Sequence, residues 1–66
     1  MTLNDAERLA AQIETDDPMC AATWRNYDGC AVVDVTDKRS GYSFVVTCRE
    51  DWEERKAECE LNAQLF

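Results

Sequence analysis

The chain has 66 residues, 14 of them acidic, 7 basic and none histidine, which leaves a formal net charge of -7. A surface so charged repels nucleic acid and anionic membrane and draws basic surfaces from a distance, so neither nucleic acid nor membrane is expected as a direct partner. The 45% hydrophobic share, with Trp24, Tyr27, Tyr42, Phe44, Trp52 and Phe66 spread along the chain, is too rich for a disordered acidic tail. The reading is one folded domain over residues 1–66, small enough to bury only about 60% of the surface its unfolded form exposes.

Asn4 followed by Glu7 has the form of a capping box, and Asp5 suits a helix N-terminus. Leu3, Ala6, Leu9, Ala10 and Ile13 then recur at helical spacing, which predicts an amphipathic helix over 4–15. Asp16-Asp17-Pro18 stops it, because a residue before proline avoids helical geometry. Residues 19–27 are open to two readings. Asp17-Pro18 with Ala21-Ala22 suits a second short helix; Thr23-Trp24-Arg25-Asn26-Tyr27 and the hairpin signal Asp28-Gly29 favour a strand over 20–26.

Cys30 to Thr36 reads as a β-branched strand with Ala31, Val33 and Val35 on one face and Cys30, Val32, Asp34 and Thr36 on the other. Asp37-Lys38-Arg39-Ser40-Gly41 is a turn with Gly41 available for positive φ. Tyr42 to Val46 returns as the partner strand, with Tyr42, Phe44 and Val46 as its core face. Thr47-Cys48-Arg49-Glu50 fits a second capping box, opening a helix over 48–64. On that helix Trp52, Lys56, Cys59, Ala63 and Phe66 fall within about 40° of one line, the stripe expected against the sheet. Ala57, Leu61 and Leu65 form a second stripe on nearly the opposite side. The predicted fold is α+β: helix, two- or three-stranded antiparallel meander, helix, with both helices on one face of the sheet.

Chemistry is sparse. Without histidine, a Gly-rich phosphate loop or a nucleophile elbow, the sequence predicts no enzyme and no cofactor. Asp34 and Asp37 lie on opposite faces of a strand and make no carboxylate pair. Cys20, Cys30, Cys48 and Cys59 are separated by 10, 18 and 11 positions, with no Cys-x-x-Cys pair and no histidine to complete a zinc site. The opening residues have neither the basic start nor the apolar core of a signal peptide. Thiols rather than disulfides, no metal, and a cytoplasmic location are therefore expected. Adjacent acids such as Asp16-Asp17 and Glu53-Glu54 lack the spacing of a calcium loop.

The last helix carries the densest charge. Glu50, Asp51, Glu53, Glu54, Glu58 and Glu60 place carboxylates along about 15 Å of helix. That is about one charge per 2.5 Å, against about 3.4 Å per phosphate on one DNA strand. Arg49, Arg55 and Lys56 dilute the cluster, and the bland account is a solvated helix whose early acids favour its dipole. With Asp34 and Asp37, these acids are the candidate partner-binding set. Ala57, Leu61 and Leu65 are either an oligomer seam or a strip packed on Leu9 and Ile13.

A short, capped, highly acidic α/β mini-domain of this kind, with the segments Asp28-Gly29, Val32-Val33-Asp34-Val35-Thr36-Asp37 and Gly41-Tyr42-Ser43-Phe44-Val45-Val46, resembles phage- and prophage-encoded anti-CRISPR proteins that imitate nucleic acid. Members of that group have many unrelated folds, so no residue role transfers. The resemblance implies a non-enzymatic inhibitor in a bacterial host's cytoplasm, occupying the DNA-binding face of a CRISPR interference complex. The alternative is an acidic partner or antitoxin-like subunit, monomer or weak homodimer, held through Ala57, Leu61 and Leu65. Loss of binding in salt favours the first, and persistence in salt the second.

Overall fold

The computed structural model describes the backbone of residues 1–65 and the side chains of residues 1–58. Helix α1 (Leu3–Asp16) is followed by strands β1 (Cys20–Tyr27), β2 (Cys30–Asp37) and β3 (Ser43–Val46), and by helix α2 (Arg49–Leu65). The strands form one antiparallel sheet in the order β1-β2-β3, so the predicted α+β architecture is the observed one.

Each element follows from its local chemistry, with shifts at the ends. The cap of α1 is Thr2 rather than Asn4. Its side chain accepts from the Asp5 N–H at 3.2 Å, and Asp5 accepts from the Thr2 N–H at 3.4 Å. Starting at Thr2 leaves Met1 free to lie along the sheet, where its carbonyl accepts from the Ala31 N–H at 3.2 Å. At the other end Asp17 is extended, with φ -138° and ψ 98°, as the following proline requires. Residues 20–27 settle as a strand. Asp28 and Gly29 both take positive φ, 50° and 82°, the geometry whose twist matches a two-residue hairpin. The register is then fixed from Tyr27↔Cys30 to Cys20↔Asp37.

Turn residue Gly41 has φ 77°, and the turn is closed by Asp37 donating its N–H to the Tyr42 carbonyl at 2.8 Å. The expected core position of Tyr42 is corrected. The strand begins at Ser43, and Tyr42 is 48% exposed, its ring centroid 5.7 Å from that of Phe44. The α2 cap also moves by one residue. Cys48 occupies the cap, its sulfur accepting from the Asp51 N–H at 3.4 Å, and Asp51 rather than Glu50 reaches back to the Thr47 N–H at 3.1 Å.

The core lies between the sheet and the helices. Ala6, Leu9, Ala10 and Ile13 of α1 meet Cys20 and Ala22 of β1, Ala31, Val33 and Val35 of β2, Phe44 and Val46 of β3, and Trp52 of α2. Both helices therefore cover the same sheet face. Among residues 49–58, Trp52 is the sole buried side chain. Its indole N–H donates to Asp16 Oδ2 at 3.2 Å, pinning α2 to the end of α1. The other, open sheet face carries the exposed residues Thr23, Arg25, Tyr27, Thr36, Ser43 and Val45, and one buried residue, Val32.

Candidate functional site

The two layers of the molecule divide its charge. Residues 20–46 hold three acids (Asp28, Asp34, Asp37) and three bases (Arg25, Lys38, Arg39), and are neutral as a unit. Residues 1–19 hold five acids and Arg8, and residues 47–66 six acids and three bases, so the whole excess of -7 belongs to the helical segments.

On α2 the predicted acids have different fates. Glu50, Glu53 and Glu54 are exposed and have no ion-pair or hydrogen-bond partner among the described residues. Helical phase places Glu50 and Glu54 opposite Trp52, with Glu58 beside them. Like charges at this spacing of four cost an isolated helix about 0.2–0.5 kcal/mol per pair. Arg55 offsets part of that cost, lying 3.5 Å from Glu58 and 3.9 Å from Asp51. The same guanidinium sits 5.7 Å from the Phe44 ring centroid, a cation–π contact between α2 and β3. Asp51 is half-buried and occupied by Thr47, so it belongs to the cap rather than to a free surface. The side chain of Glu60 lies outside the described residues.

Asp34 and Asp37 sit on the sheet, apart from the acids of α2, and each is paired with an arginine. Asp34 lies on the open sheet face, away from the helices, and takes two hydrogen bonds from Arg25, at 2.6 and 3.3 Å. That ion pair raises the Arg25 guanidinium above its ordinary value, chiefly through the Asp34 hydrogen bond. The guanidinium also lies 5.3 Å from the Tyr27 ring centroid. Asp37 is only 2% exposed. It accepts from the Arg39 side chain at 3.0 Å and from the Arg39 backbone N–H at 2.9 Å. Those bonds, the side-chain one first, hold its carboxyl below the usual carboxylate range against the opposing effect of burial. Arg39 continues to Asp17 at 2.8 Å, and Asp17 accepts from the Cys20 thiol at 3.5 Å. This network ties the end of α1 to the β2–β3 turn. A charge buried in this way offers nothing to a partner.

Of the second stripe, Ala57 is exposed. Leu61 and Leu65, like Cys59, Ala63 and Phe66 of the first stripe, have side chains outside the described residues. Lys56 is half-buried, in keeping with an aliphatic stem beside the core. Cys30 is an exposed free thiol and Cys48 a half-buried one. No helix among the described residues is long and apolar enough to cross a membrane.

Two acids not in the predicted set sit on the far flank of α1. Glu14 is exposed and accepts from the Ala22 N–H at 3.2 Å, and Glu7 shares its side of the helix two turns back. Their spacing of seven was readable, but only the packing of α1 on β1 gives it meaning. Asp16, on the other flank, is held below its ordinary value first by the Trp52 hydrogen bond and then by that from Gln12.

No family model, no curated protein and no solved structure matches the chain.

Proposed function

We propose that the protein is a non-enzymatic binding module whose acidic helical layer docks on a basic, nucleic-acid-binding groove of another protein and blocks that groove. The observation that carries this reading is the segregation of charge: the helical segments hold the entire excess, and Glu50, Glu53 and Glu54 are exposed on α2 with no partner among the described residues. A helix selected for stability alone gains nothing from like charges spaced by four. Counter-charge steers such an encounter, and the contacts desolvated at its centre decide how long it lasts. The resemblance to anti-CRISPR proteins makes a CRISPR interference complex the first target to try.

The test is capture from bacterial lysate on immobilised protein, eluted in turn with duplex DNA and with salt. Nucleic-acid-binding proteins released by both eluents support the reading. Captured proteins that ignore DNA and persist in high salt contradict it and turn attention to the stripe through Ala57. A gel-shift titration of the free protein is expected to show no complex with duplex or single strand even at low salt, because like charge opposes contact. A micromolar complex would overturn that expectation.

A further inference from the structure

The outer edge of β1 is closed over its first half and open over its second. In an antiparallel ladder, alternate residues turn their N–H and C=O away from the neighbouring strand. The outward residues are identified by what they bond. The Cys20 N–H donates to the Asp17 carbonyl at 2.9 Å, and the Ala22 N–H donates to Glu14 Oε2 at 3.2 Å, so neither points at β2. The next two outward positions are Trp24 and Asn26. Both are exposed, and their edge-facing N–H groups have no acceptor among the described residues.

Edge strands are ordinarily guarded by proline, bulges or inward charge. Here β1 is eight residues long and regularly paired throughout, and its one charge, Arg25, is turned to the open face and held by Asp34. What borders the open half is acidic. Glu7 projects from the flank of α1 that Glu14 defines, and Asp28 stands in the adjoining hairpin. A second copy pairing edge to edge would set the Glu7 and Glu14 flanks of two chains of charge -7 against each other, which disfavours that occupant.

We infer that the Trp24–Asn26 edge of β1 accepts an extended, lysine- or arginine-bearing segment of a partner protein as a fourth strand. The N–H and C=O groups of Trp24 and Asn26 supply the backbone ladder. Partner side chains opposite them point to the α1 side of the sheet, where every second residue, if basic, meets Glu7 and the exposed Trp24 indole. This surface is distinct from Glu50, Glu53 and Glu54 on α2, so it stands or falls separately from the function proposed above.

The experiment titrates the labelled protein with the capped peptide Lys-Val-Lys-Val-Lys, followed by amide resonances and hydrogen exchange at about 0.15 M salt. Selective shifts of the Trp24 and Asn26 amides are expected, with exchange there slowed about tenfold or more at saturation. A Glu-Val-Glu-Val-Glu peptide is expected to bind at least about tenfold more weakly. Asn26→Pro removes one outward donor at a position where an edge strand tolerates proline, and is expected to abolish the response while circular dichroism is unchanged. Glu7→Lys, a change at an exposed position, is expected to weaken the lysine peptide severalfold and serves if Asn26→Pro does not fold. Glu50→Lys/Glu53→Lys/Glu54→Lys is expected to leave the peptide response in place. Unshifted Trp24 and Asn26 amides, equal binding of the two peptides, or an unaltered Glu7→Lys variant would overturn the inference. So would a dimer by sedimentation whose Trp24 and Asn26 amides are already protected without peptide.

Discussion

At Asp37 a carboxylate that reads in sequence as surface charge is instead an anchor. It is almost wholly buried and receives Arg39 through both side chain and backbone. Its pKa is depressed in the folded state, so its contribution to stability is complete above the unfolded value of about 3.9. That contribution is lost as pH falls through the lower folded value. Stability is therefore expected to hold down to about pH 5 and to fall below about pH 4, measured by urea melts across pH. Asp37→Asn keeps the shape and removes the charge. It is expected to cost about 1–3 kcal/mol at neutral pH and to make the acid limb shallower. An Asp37→Asn protein with unchanged midpoint and unchanged acid limb would show that the network contributes nothing. The burial was not legible in the sequence because it depends on Arg39 being held by Asp17, a residue 22 positions away. Local spacing showed only that Asp34 and Asp37 fall on opposite faces, and the face of Asp37 proved to be the inner one.

At the scale of elements, Trp52 is the one buried side chain among the described residues of α2. Trp52 fills the core and bonds Asp16 across the two helices, while its helical neighbours through Glu58 are exposed or half-buried. Trp52→Ala is expected to cost about 3–5 kcal/mol. A domain of this length has a total stability of about 3–10 kcal/mol, so this one change approaches the whole. Trp52→Phe keeps the aromatic bulk and loses the hydrogen bond, for about 1 kcal/mol. Chemical denaturation of the two variants checks the order; equal losses would mean that the indole N–H, not the ring, holds the helix. At the hairpin, Gly29 has φ 82° with open space where a Cβ would stand. Gly29→Ala is therefore expected to cost about 1–2 kcal/mol through backbone strain alone.

The elements themselves were legible because each obeys a local rule: period 3.6 in Leu3–Ile13, β-branching in Val32–Val35, and Asp28-Gly29 at the hairpin. Their exact starts were less so. Thr2-x-x-Asp5 competes with Asn4-x-x-Glu7 as a box, and the winner is chosen by the place Met1 takes against the sheet. A thiol at the cap of α2 is outside the usual preference for Ser, Thr, Asp and Asn, so Cys48 gave no signal.

For the whole molecule, the division of charge between a neutral sheet and acidic helices follows from summing charges element by element, once the element bounds are known. Which acids are available does not follow from the sum. Asp51 is committed to Thr47, Glu58 to Arg55, Asp34 to Arg25 and Asp37 to Arg39, leaving Glu50, Glu53 and Glu54 as the unpaired acids of α2 among the described residues. Their side chains are exposed, so changing them should leave the core and its packing untouched. The central measurement is the affinity of a captured partner for the native protein and for Glu50→Lys/Glu53→Lys/Glu54→Lys, at two salt concentrations and with circular dichroism as the check on folding. The triple variant is expected to remain folded and to lose about 2–5 kcal/mol of binding for each pair desolvated at the interface, with the salt dependence of the remainder reduced. Full affinity in that variant, together with loss of binding in a folded Ala57→Asp or Leu61→Asp protein, would place the site on the apolar stripe and contradict the acidic docking surface.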